Sequence, residues 1–300
     1  MLPGWRLIAM LYWLRIVFGL LCLICTKSGF AHLEFERLSM GDGLAQSSIQ
    51  GMAQDRHGYL WFGTQYGLSR YDGYRFETYR HRPGDPHSLS DSEITDLSLA
   101  ADGRFWVATR NGLNRFDPES GRSESYYLED PQAAAPGTSL IREIIGQAGT
   151  GELFVRLQEG LAVLEPASSS LQRIRFEMPL SELGLKGTAG LVDGSAQLWI
   201  LNDAGLWRRG QENGVLARLD GVRPARSRYP PAGLAETSAG QIAVVVDSGL
   251  MLIKPGRVPS TRLVRPLDHG FDVDGFDAVV ATGDGSLWLT RGTHFFRYDP

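Results

Sequence analysis

The chain has 300 residues, 21% of them charged and 43% hydrophobic, with a formal net charge of −4. That is ample apolar material for a core and excludes a disordered or collagenous polymer. Arg6, Arg15 and Lys27 precede His32 with no acid among them, so 27 of the 30 basic residues remain beyond that point against 34 acidic ones. No basic patch is left for nucleic acid. Both cysteines, Cys22 and Cys25, lie in the same opening stretch. The rest of the chain therefore has no thiol for a disulfide, a zinc–thiolate site or a nucleophile.

In chain order, the first element is a leader. Arg6 gives a charged start, residues 16–25 an apolar run, Thr26-Lys27-Ser28 a polar break, and Gly29-Phe30-Ala31 a small-residue cleavage site. The pattern predicts a signal peptide over residues 1–31, cleaved after Ala31, and export of residues 32–300 to the periplasm. The apolar run is shorter than the about 20 residues that span a bilayer. An uncleaved anchor is the alternative, because residues 7–14 are also apolar. Inside such a leader the Cys22 and Cys25 pair reads as two small hydrophobes.

Beyond the leader the chain repeats. Leu60-Trp61-Phe62-Gly63-Thr64-Gln65-Tyr66-Gly67-Leu68-Ser69-Arg70-Tyr71-Asp72 matches Phe105-Trp106-Val107-Ala108-Thr109-Arg110-Asn111-Gly112-Leu113-Asn114-Arg115-Phe116-Asp117. The frame recurs at Phe154 with Gly160, Trp199 with Gly205, Ala243 with Gly249, and Trp288, where His294 stands in place of the repeat glycine. The anchors 61, 106, 154, 199, 243 and 288 are spaced 45, 48, 45, 44 and 45 residues apart.

The first copy predicts four strands, at 49–53, 59–64, 68–71 and 75–79. Gly58 and Gly67 supply the turns, and Asp72-Gly73 is a hairpin signal. Asp102-Gly103, Asp193-Gly194 and Asp284-Gly285 are expected to repeat the first turn. No stretch after residue 40 has a long helical period. Six four-stranded units with a period near 45 predict an all-β chain, a β-propeller of antiparallel blades. Residues 35–38 read as an orphan fourth strand that pairs with 295–298 and closes a six-bladed ring. The competing expectation is the front of a longer chain with a larger ring.

Candidate site residues are few. Trp61, Trp106, Phe154, Trp199 and Trp288 recur on the second strand and are expected as inter-blade core, with Gly67, Gly112, Gly160, Gly205 and Gly249 as turn residues. Arg70, Arg115 and Arg297 are expected to pack on the outer strands rather than bind anions. The longer connection carrying His81, Arg82, Asp85 and His87 is the candidate ligand contact, since loops on a rigid scaffold carry function. The six histidines, His32, His57, His81, His87, His269 and His294, show no metal spacing. Asp272-Val273-Asp274-Gly275 lacks the terminal Glu of a calcium loop and reads as a turn. No cofactor and no catalytic triad are expected.

The string Asp42-Gly43-Leu44, Gln54-Asp55, Gly58-Tyr59-Leu60-Trp61-Phe62-Gly63-Thr64, Gly67-Leu68 and Arg70-Tyr71-Asp72-Gly73 resembles the two-component regulator propeller repeat. The resemblance covers about residues 35–299 and is strongest in the first two units. It implies the periplasmic sensor region of a bacterial transmembrane signalling protein, upstream of a histidine kinase or a diguanylate cyclase. It also implies rings of seven blades. Neither output module occurs in these residues. The expected function is therefore ligand sensing without catalysis, with a periplasmic small molecule, a glycan or a protein as partner. A protein-docking ring without a small ligand, or a propeller lyase or hydrolase, are the alternatives.

Overall fold

Each repeat folds as an antiparallel meander whose strands follow the period-two pattern of the sequence. The computed structural model describes residues 37–129, 140–176, 188–210, 214–225, 233–256, 259–265 and 276–300. The first unit is β1 (Ile49–Gln54), β2 (Leu60–Thr64), β3 (Gly67–Tyr71) and β4 (Phe76–Tyr79), paired in that order. The expected strand at 75–79 starts one residue later because Asp72 Oδ1 accepts the N–H groups of Tyr74 and Arg75, at 2.9 and 2.8 Å, and holds both in the turn.

The second unit is β5 (Ile94–Leu99), β6 (Phe105–Thr109), β7 (Gly112–Asp117) and β8 (Arg122–Leu128). The third is β9 (Ile141–Gln147), β10 (Leu153–Leu157), β11 (Leu161–Leu164) and β12 (Ser170–Arg173). The fourth is β13 (Ala189–Val192), β14 (Leu198–Asn202), β15 (Gly205–Arg209) and β16 (Leu216–Leu219). The fifth is β17 (Leu234–Glu236), β18 (Ile242–Val246), β19 (Gly249–Lys254) and β20 (Ser260–Val264). The sixth has, among the described residues, β21 (Ala278–Ala281), β22 (Leu287–Arg291) and β23 (His294–Tyr298). All belong to one unit of the chain, Ser39–Pro300.

Packing follows from alternation. Residues of the second strand point alternately to the preceding and the following sheet, so a strand covered on both faces is apolar throughout. All five residues of β6 are buried, as are all five of β14 and of β18. Trp61, Leu68, Phe105, Val107 and Phe116 fill the first junction, and Trp106, Leu113, Ile141, Leu153 and Val155 the second. Phe154, Leu161, Leu198, Ile200 and Trp207 fill the third, and Trp199, Leu201, Leu206, Ile242 and Val244 the fourth. Ala243, Val245, Val279, Leu287 and Leu289 fill the fifth. The first strands lie side by side in chain order, β1 against β5, β5 against β9, β9 against β13, β13 against β17 and β17 against β21. This is the radial stack of a propeller.

Three features depart from a uniform repeat. First, the outer strands β8 and β12 pair in parallel, Ser170 opposite Tyr127 and Leu171 opposite Leu128, which joins the second and third units into one eight-stranded sheet. Second, Trp288 is 43% exposed and its face neighbour Phe295 73%, whereas Trp61 and Trp199 are wholly buried, so the expectation of core at this repeat position fails in the sixth unit. Trp288 points away from the fifth sheet, and no described strand covers that face. Residues 35 and 36 lie outside the described residues, and with them the expected pairing onto β23. So do the leader, His32, His269 and the 272–275 turn.

Third, Asp193-Gly194 does not stand where Asp102-Gly103 and Asp284-Gly285 stand. The left-handed turn position is Gly58, Gly103 and Gly285 in the first, second and sixth units, at φ of 87°, 86° and 88°. In the fourth unit it is Ala196, at φ 65°, a conformation that costs an L-residue roughly 1–2 kcal/mol. Ala196→Gly is therefore expected to stabilise the chain by up to about 1 kcal/mol, net of the entropy glycine adds to the unfolded state. A urea midpoint equal to or below that of the parent would contradict it.

Candidate functional site

The loop between β4 and β5 folds across the edge of β8 and is held by its own hydrogen bonds. Arg82 N–H donates to Ser88 Oγ at 2.9 Å, and His87 N–H to Asp85 Oδ1 at 3.0 Å. His81 Nδ1 lies 2.7 Å from the Leu89 carbonyl, and Ser123 N–H donates to the His87 carbonyl at 2.8 Å. Leu89 is buried in the first inter-sheet core and anchors the loop. The result is a fixed polar rim on the outer side of the second unit.

The rim encloses a cleft of about 640 Å³, lined by His81, Asp85 and His87 from the loop and by Arg104, Arg115 and Arg122 from the sheet. Arg82, Asp85 and His87 also line an adjoining cleft of about 320 Å³. The four loop residues expected as ligand contacts are thus brought together at one place. Of these arginines, Arg115 was expected to pack on the outer strand rather than bind anions, and Arg104 and Arg122 were missed because the three are far apart in sequence and converge only through strand register. Their one local signal is Arg122 at the start of β8, opposite Asp117.

The polar groups of the rim are held by neighbouring hydrogen bonds and ion pairs. Ser88 Oγ donates to the main-chain carbonyls of Arg82 and Asp85, at 3.2 and 2.9 Å, so it is not aligned on a histidine. Asp117 accepts from Glu119 N–H and Ser120 Oγ, both at 2.9 Å, and Arg115 is ion-paired with Asp102. Guanidinium and imidazole donors with anchored carboxylates can hold an anionic or hydroxyl-rich solute. Among the described residues no group of three or more His, Cys, Asp or Glu side chains could hold a metal ion.

A second constellation recurs from unit to unit. A cross-strand arginine lies over the second-strand aromatic, Arg70 at 5.9 Å from the Trp61 ring, Arg115 at 4.5 Å from Trp106 and Arg208 at 5.8 Å from Trp199. Such cation–π contacts anchor the guanidinium. Arg70 is paired with Glu77 at 2.7 Å, and Arg297 with Asp284 at 3.4 Å. Beneath the arginines, buried Asp55 and Asp193 accept the indole N–H of Trp61 and Trp199 at 2.8 and 2.7 Å.

Nearer the inner strands, Asp96 fastens the second unit to the third. Its Oδ2 accepts the Ile144 N–H at 2.8 Å and its Oδ1 the Leu97 N–H at 2.8 Å, while Thr95 Oγ1 donates to the Ile141 carbonyl at 2.6 Å. Burial pushes the Asp96 carboxyl above the usual range, the two backbone N–H groups pull it down, and Glu143 pushes it up. A carboxyl whose folded pKa is raised adds stability below its unfolded pKa, and that contribution is lost as pH rises through the folded value. The melting temperature of Asp96→Asn relative to the parent is therefore expected to climb as pH rises through and above the ordinary carboxylate range at about 4. A difference that stays flat over that range would refute this.

The family described as two component regulator propeller matches residues 43–66 and 88–111. These matches span the linker, inner strand and second strand of the first two units. Over 75 residues, a quarter of this chain, the sequence is 40% identical to "Histidine kinase P4" of Formosa agariphila, and the match covers 5% of that protein's length. Among solved structures, the extracellular domain of a putative hybrid two component system from B. thetaiotaomicron superposes with a TM-score of 0.57 at 19% identity, over 88% of this chain and 35% of that one. Virginiamycin B lyase from Staphylococcus aureus superposes with a TM-score of 0.54 at 12% identity, over 84% of each chain. At those identities the two structures establish the propeller fold alone.

Proposed function

We propose that this chain, which carries two-component regulator propeller repeats, is the exported input region of a bacterial signal-transduction protein. It binds a periplasmic small molecule or glycan, and it performs no catalysis itself. The observation that carries this reading is the match of that repeat to the two units that build the rim cleft. Strands of these units hold the binding loop on a rigid support, as a ligand-reading surface requires. A propeller-lyase reading draws only on the fold, and Ser88 of the cleft is hydrogen-bonded to main-chain carbonyls.

Thermal unfolding of the full chain against a panel of oligosaccharides and small organic acids tests the binding. A ligand present at 100 times its Kd raises stability by about 2.7 kcal/mol, a readily measured shift. Loss of that shift in His87→Ala with Arg122→Ala would place the ligand in the rim cleft. Turnover of any panel member, or a mature protein still beginning at Met1 in the cytoplasm, would overturn the reading.

A further inference from the structure

The grooves between successive sheets differ in a way the repeat makes legible. At the first junction Arg56, five residues before Trp61, extends across the groove and donates to the Asp102 carbonyl. Asp102 and Asp117 stand beside it, leaving a cleft of about 210 Å³. At the fourth junction the position five before Trp199 is Gly194, which carries no side chain, and the Glu236 carboxylate accepts its N–H in place of an arginine plug. The equivalent of Asp102 is Ala239, and the equivalent of Asp117, eleven residues after the second-strand anchor, is Lys254. The cleft there measures about 930 Å³. Three changes at matched positions thus remove the arginine plug and two of the first groove's four acids and add a cation.

The groups that remain are sorted by charge. Both acids of the groove are already engaged, Glu236 by the Gly194 N–H at 3.1 and 2.9 Å, and Asp193 by its own turn and the Trp199 indole. Two of the groove's cations have no carboxylate partner among the described residues. Arg208 donates to the Gly256 carbonyl at 2.7 Å, and among the described residues it has no carboxylate partner, unlike Arg70, Arg115 and Arg297. Exposed Lys254 likewise has none. Arg209 is paired with Glu152 at 2.7 Å, yet its Nε is buried without a hydrogen-bond partner.

The geometry points to the groove between the fourth and fifth sheets as an oxyanion-binding site. It takes a small organic molecule bearing a carboxylate or phosphate group, held by Lys254 and Arg208 above the Trp199 edge of the sheet. The cleft is within the size of small-molecule sites, and charge-assisted hydrogen bonds to cations supply the selectivity. The inference is independent of the sensory reading and of the rim cleft, because it concerns binding by the chain itself at another junction.

Isothermal titration of the full chain with citrate, and separately with inorganic pyrophosphate, tests it. One-site binding is expected for at least one probe, weakened about tenfold or more by Lys254→Glu, which is about 1.4 kcal/mol. Gly194→Arg, which restores the plug of the first groove, is expected to weaken it comparably. A Cβ at Gly194 would meet only the Glu236 carboxylate at 3.3 Å, the far end of a flexible side chain, so the variant is expected to fold. Arg122→Glu, in the rim cleft, should leave the affinity within about twofold. No binding of either probe at millimolar concentration, or a Lys254→Glu affinity equal to the parent's, would overturn the site.

Discussion

Trp106→Ala is expected to lower the free energy of unfolding by about 3–5 kcal/mol, while the same change at Trp288 is expected to cost less than about 1 kcal/mol. The two residues occupy one repeat position and make the same cross-strand pair, Arg115 opposite Trp106 and Arg297 opposite Trp288. What differs is what stands against the ring. Trp106 is 3% exposed, packs into the core shared with the third unit, lies under Arg115 and donates its indole N–H to Gln147 Oε1 at 3.3 Å. Its removal opens a cavity between two sheets. Trp288 faces outward, and its truncation leaves no enclosed void. Urea unfolding of the two variants beside the parent decides the matter, and equal costs would mean that burial is not what sets the energy at this position.

Asp193→Ala should be nearly as damaging, at about 4 kcal/mol, because one buried carboxylate serves four donors. Its Oδ1 accepts from Ser195 N–H and Gln197 N–H, both at 2.9 Å, and from Ser195 Oγ at 2.7 Å, while Oδ2 takes the Trp199 indole. Alanine would leave that indole N–H without a partner in a wholly buried ring. Asp55→Ala should behave alike, since Asp55 holds His57 N–H, Tyr59 N–H and the Trp61 indole. Asp284, by contrast, accepts only from Thr282, Ser286 and Arg297 in an exposed turn, and Asp284→Ala should unfold close to the parent. Tryptophan fluorescence in a urea series separates the three. A midpoint for Asp193→Ala as high as that of Asp284→Ala would show that the indole bond is dispensable.

The same contrast explains how much of the candidate site could be read beforehand. The loop with His81, Arg82, Asp85 and His87 stands out in the sequence for its density of charged and histidine residues, not for its length, since the connection from β12 to β13 is longer. Arg104, Arg115 and Arg122 do not, because they are spread over three segments of the second unit until strand register turns them toward a common cleft. Lys254 and Gly194 are each unremarkable alone. They acquire meaning only when a sheet of one unit faces the turn of the next.

Local physics determined the period, the strand positions, the repeat glycines and the all-β class, since alternation and turn chemistry act within a few residues. Gly67, Gly112, Gly160, Gly205 and Gly249 all hold positive φ between 101° and 150°, where a side chain would be strained. Tertiary structure alone decided which second-strand aromatics are buried, which grooves are open, that β8 and β12 join two units into one sheet, and that Ala196 rather than Gly194 takes the left-handed turn. Each of these depends on what another unit, or another part of the turn, places against the residue. A period of 45 repeats the residue but not its surroundings, and burial and charge balance belong to the surroundings.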